Sequence, residues 1–185
     1  METITTTTKT IIMKIQLKHL APYLPYGLKL IRQMYKNGEI QNSLDLTVEN
    51  LNQVIINVNN NVENKSYFPL LYPLSYLTKE ITVDGNTFVP MVVLCNDFCG
   101  RTPCNVEFGK GNEVIIMYAD NGGGLKYWLV YNSINMYFEL RDDSRESAIY
   151  SLPQYDMFKK LFEWYIDFQN LIPQNLAIDK TTIKQ

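Results

Sequence analysis

Three cysteines fall close together, as Cys95, Cys99 and Cys104 in "CNDFCGRTPC". Zinc asks for four ligands, commonly two tight cysteine pairs, so three sulfurs in one loop with Asp97 as an oxygen donor amount to half a site. The chain's single histidine, His19, lies far away in sequence. Ordinary reduced thiols are the simpler expectation, and no metal or other cofactor is expected. A cysteine or serine nucleophile would need a base, and His19 is the one imidazole on offer. It stands between Lys18 and Leu20 in "LKHLAPYLPYGLKL", a segment of turns and apolar residues, where a hydrogen-bonded structural histidine is expected rather than a general base. Asn121-Gly122-Gly123-Gly124-Leu125-Lys126 lacks the spacing of a phosphate cradle and reads as a hairpin end. Asp142, Asp143 and Glu146, with Asp120 as a further carboxylate, are interleaved with Arg141 and Arg145, as in a self-neutralised loop. Trp128 and the tyrosines of "LKYWLVYNSINMYF" suggest either a platform for stacked bases or, without basic companions, a core or a protein contact.

These residues must be positioned by a chain of 185 residues that is 46% hydrophobic and 12% aromatic, enough apolar material for one core. Its 17 basic and 19 acidic side chains give a formal charge of −2, with no cationic cluster to track phosphates. No apolar run approaches the roughly 18 residues of a membrane span, and the first residues do not have the pattern of an export signal. A cytoplasmic protein with reduced cysteines is the expectation. Residues 1–10, with four consecutive threonines, are expected to be a flexible extension to one α+β domain over 11–185.

Alternation of Ile15 and Leu17 predicts a short strand over 14–20, after which Pro22, Pro25 and Gly27 make a stiff corner that cannot become helix. Tyr23 and Tyr26 project from that corner; at least two of Leu20, Leu24 and Tyr26 are expected to pack on the closing helix near Phe162 and Tyr165, with Tyr26 as a buried aromatic anchor. Asn37-Gly38 predicts a hairpin of strands near 28–35 and 39–47. Residues 49–58 are helix or strand, and the β-branched run from Val54 to Val58 tips the balance to strand. A short helix is expected over 73–81, then a second hairpin at Asp84-Gly85 whose outgoing strand carries Pro90 at an edge or bulge. Two further strands flank the glycine loop, and "INMYFEL" alternates as a half-buried strand with one polar face. A long amphipathic helix is expected from Pro153 to Leu171, capped by Ser151 and stopped by Pro173. The fold class predicted is α+β, a largely antiparallel sheet of hairpins covered by the closing helix.

Three blocks, "LKHLAPYLPYGLK" at 17–29, "PLSYLTKEITVDGNTFVPM" at 73–91 and "FKKLFEWYIDFQNLIPQNLAID" at 158–179, cover 54 residues. In this order they resemble a family of small uncharacterised proteins encoded by tailed phages and prophages of gut bacteria. The segment 92–150 is outside the resemblance, and Tyr165 stands where the family's pattern has a second histidine. The resemblance carries no activity or site residue. It implies a phage or prophage product made in a bacterial cytoplasm. The lack of a complete catalytic set and the surplus of tyrosines lead to the expectation of a non-enzymatic accessory protein that binds another protein, of host or phage. A small hydrolase or nuclease using carboxylates or Cys99, and a single-strand nucleic-acid binder, are the alternatives.

Overall fold

The computed structural model describes residues 14–32, 43–60, 67–100, 105–108, 113–119, 126–142, 148–150 and 152–183. The extension 1–10, the turn at Asn37-Gly38, Cys104, the glycine loop and Ser151 lie outside them. The class is α+β, as expected, with several sheets and four α-helices among the described residues.

The chain opens with helix, not strand. α1 (Leu17–Leu20) leads directly into a 3₁₀ helix, Ala21–Tyr26. The proline corner is therefore helical, against expectation. Pro22 sits in the first turn, where a missing N–H is harmless, and the 3₁₀ run is short enough to accommodate Pro25 before Gly27 ends it at φ +63°. β1 (Lys29–Arg32) and β2 (Ser43–Asp45) pair antiparallel with Leu30 opposite Leu44, in line with the predicted first hairpin, whose residues 33–42 lie outside the described residues.

α2 (Val48–Asn59) replaces the strand expected over 49–58. Thr47 caps it, its Oγ1 accepting from the Asn50 N–H while the Asn50 carboxamide accepts from the Thr47 N–H. Leu51, Val54 and Val58 recur at helical spacing and are buried, so burial of that stripe outweighs β-branched propensity. Asn59, at the end of α2, clasps Ile15: Oδ1 accepts from the Ile15 N–H at 2.8 Å and Nδ2 donates to its carbonyl at 2.7 Å.

β3 (Tyr67–Pro73) is the spine of the first sheet, antiparallel to β1. The helix expected over 73–81 is a 3₁₀ turn, Leu74–Thr78. β4 (Ile81–Val83) and β5 (Asn86–Phe88) form the predicted hairpin, with Asp84 and Gly85 at φ +50° and +80°. Pro90 does not sit in an edge strand. It opens α3 (Pro90–Leu94), where its fixed φ suits the first turn, and a π-helical turn, Cys95–Cys99, continues it.

The second sheet is a five-stranded antiparallel meander: β6 (Asn105–Phe108), β7 (Glu113–Ala119), β8 (Lys126–Asn132), β9 (Tyr137–Arg141) and β10 (Ala148–Tyr150), each paired with its neighbour in sequence. Val114, Ile116, Leu129, Tyr131, Phe138 and Leu140 face the main core. The other face is not polar as expected of "INMYFEL". Ile115, Trp128 and Val130 are buried there, and Glu139, 7% exposed, is tied to Arg141, which also forks onto Glu113. Trp128, itself 5% exposed, is not an open platform for stacking bases. Ile134 and Met136, expected inside, lie in the exposed turn before β9.

The closing helix is α4 (Gln154–Glu163), ten residues and not nineteen. It ends because Tyr165 takes the left-handed conformation, φ +58°, and the chain re-enters the first sheet. β11 (Ile166–Asp167) and β12 (Ile178–Asp179) both pair parallel with β3, so the first sheet is mixed, not purely hairpin-built. Gln154 locks α4 to the meander, its Oε1 accepting from the Phe138 N–H at 2.8 Å and its Nε2 donating to the Phe138 carbonyl at 2.6 Å. Phe162 and Tyr165 pack against both large core clusters, joining the two sheets.

Candidate functional site

His19 sits at the end of α1, 9% exposed. Its Nδ1 accepts from the Gln16 N–H at 3.0 Å, which fixes the neutral ring with its proton on Nε2. Burial, with a smaller push from Lys18, lowers its pKa. The imidazole is thus a local cap, and the expected structural role fits this geometry.

Tyr23, not Tyr26, is the buried anchor of the corner. It is fully enclosed, its hydroxyl donates to the Ile166 carbonyl at 3.0 Å, and its ring meets Phe162 edge-on with centroids 5.0 Å apart. Leu20 and Leu24 share its cluster with Phe162 and Tyr165, as expected. Burial, then the charge of Asp167, raises the Tyr23 pKa. Asp167 is 2% exposed and accepts two backbone N–H bonds, Oδ1 from Leu171 at 2.8 Å and Oδ2 from Ile172 at 2.7 Å. Burial raises its pKa, and those two donors oppose the shift. The Tyr131 hydroxyl, buried in the same region, has no hydrogen-bond partner among the described residues; its pKa is raised by burial and by Asp167. This inner polar group is closed and local: His19 and Asp167 hold backbone rather than aim at an opening.

Sequence reasoning missed Asp167, Gln154 and Lys180. The last has its ammonium 4.5 Å from the Tyr72 ring centre and 5.3 Å from that of Tyr165, pinning the end of β12 over β3. Burial lowers its pKa, opposed by Asp84. No sequence signal marks it, because three separate elements supply the sandwich. Tyr165 donates its hydroxyl to the Tyr26 carbonyl. Position 165 therefore touches the corner at Tyr26.

The surface above this group is open. Pro22, Pro25 and Tyr26 form one wall of a groove of about 260 Å³, and Tyr155, Phe158, Lys159 and Phe162 of α4 form the other. Tyr155 is 79% exposed. Both walls are held from below, by Tyr23 on Phe162 and by Tyr165 on Tyr26.

The cysteines do not add to this site. Cys95 is in the main core, Cys99 is half-buried at the end of the π turn, and Asp97 is exposed. Among the described residues no three His, Cys, Asp or Glu side chains gather as a metal site would need, and no helix is long and apolar enough to cross a membrane. Comparison with protein-family models, with curated proteins and with solved structures finds no match for this chain.

Proposed function

We propose that this chain is an accessory protein of phage or prophage origin, made in a bacterial cytoplasm, that acts without catalysis by binding another protein. The groove between the 3₁₀ turn and α4 supports that reading most. It is apolar, its walls are braced, and it displays a tyrosine, a side chain favoured at interfaces for its apolar body and polar tip. Origin and location rest on the resemblance of the three blocks, of which two, 17–29 and 158–179, supply the walls or their supports.

The test is site-specific photocrosslinking in bacteria that express the chain. A photoreactive residue at position 155 should trap one protein, whereas the same residue at Val48, which is 72% exposed on α2, should trap none. Equal yields at both positions, or none at 155, would remove the groove as the binding site.

A further inference from the structure

The groove also has features that select what enters it. Its walls offer no extended edge for strand addition: Pro22 and Pro25 have no N–H, both walls are helical, and the amides of Phe158, Lys159 and Phe162 lie inside α4. Recognition must come from side chains. Tyr26 and Tyr155 bring two phenols, neither with a hydrogen-bond partner among the described residues, that can donate to carbonyls of an occupant. Extended polyproline-type segments present such carbonyls, because that conformation makes no internal hydrogen bonds, and their rings stack on tyrosine and phenylalanine. A space of about 260 Å³ takes a few such side chains.

Charge narrows the choice. Lys159 is the one ionic residue in the groove wall, exposed and without a carboxylate in ion-pair range among the described residues. Its neighbour Lys160 is paired with Glu163 at 3.3 Å and lies over Trp164, so it does not compete for the same acid. An apolar trough with one unpaired cation at its side matches an apolar segment that carries a carboxylate.

We infer that the groove takes an extended, proline-bearing segment of a partner protein with an acidic side chain beside Lys159. This rests on the groove being the docking site proposed above. The experiment is selection of a random-peptide display library on the wild-type chain, followed by affinity measurement of the enriched peptides on Tyr155→Ala and Lys159→Glu. Both side chains are exposed, so both variants should fold, and circular dichroism checks it. The expected peptides carry proline next to Asp or Glu, lose about tenfold or more in affinity on either variant, and regain affinity for Lys159→Glu when their acid is exchanged for lysine. Enriched peptides without proline, with apolar residues at helical spacing, would overturn this inference while leaving the docking site in place if they still depend on Tyr155. Peptides indifferent to Tyr155→Ala would overturn both. Absence of enrichment with a wild-type dimer that Tyr155→Ala dissociates would also overturn it, because the occupant would then be a second copy of this chain.

Discussion

His19 illustrates how a residue with catalytic chemistry becomes structural. Above about pH 6.5 its imidazole is neutral in folded and unfolded chains alike, and stability does not depend on it. Below that value the unfolded chain binds a proton first, because burial holds the folded pKa lower, so folding loses stability as pH falls. Asp167 acts oppositely. Its raised pKa lets the folded chain take up a proton first in the acid range, which adds stability as pH falls there. Denaturation of wild type and His19→Gln between pH 7 and 5 should show a decline in wild type that the variant lacks; the Asp167 contribution is common to both and cancels. Parallel curves would mean that His19 is not buried as a neutral base. Tyr131→Phe removes a buried hydroxyl that has no partner among the described residues, and should raise stability by about 1 kcal/mol in chemical denaturation; an equal loss would reveal a bond to that oxygen. Tyr23→Ala should cost about 3–5 kcal/mol, and half-exposed Tyr26→Ala about 1–2 kcal/mol. The sequence picks out both tyrosines but points to Tyr26 as the anchor, whereas the ring that turns inward is Tyr23, because that choice depends on the 3₁₀ geometry of the corner.

At the scale of elements, local signals were legible where one short stretch determines the outcome. Asp84-Gly85 turns as its residue types require, and the apolar runs of "NEVIIMYAD" and "LKYWLVYN" on either side of the glycine loop yield β7 and β8 in full register. The α2 segment was misjudged because Val54, Ile55, Ile56 and Val58 favour strand locally, whereas the Thr47 cap and the packing of the Leu51 stripe favour helix. Pro90 was placed at a sheet edge because proline there and proline at a helix start look alike without the fold. The long closing helix failed for a third reason. Its apolar periodicity runs on past Glu163, but Tyr165 turns left-handed and Ile166 pairs with Tyr72 on β3, a long-range contact that no window of sequence contains. Two carboxamide clasps hold elements together, Asn59 on Ile15 and Gln154 on Phe138. Gln154→Ala strips both partners from Phe138, which is 2% exposed, and should cost about 1–3 kcal/mol. A change below a few tenths in urea denaturation would show that α4 is held to the meander by packing alone.

For the whole molecule, α4 and the corner form the junction of two sheets, with Phe162 and Tyr165 packed against both large clusters. The groove is the outer surface of that junction, and its walls come from segments far apart in sequence. The sequence shows the corner and the helix as separate aromatic stretches; that they face each other follows only from β11 and β12 returning the chain to β3. The measurement that bears most directly on this account is the affinity of the wild-type and Tyr155→Ala proteins for the protein trapped at position 155, taken together with their thermal midpoints. The account predicts a loss of about tenfold or more in affinity with an unchanged midpoint, since Tyr155 is 79% exposed and supports no core. An unchanged affinity would contradict it.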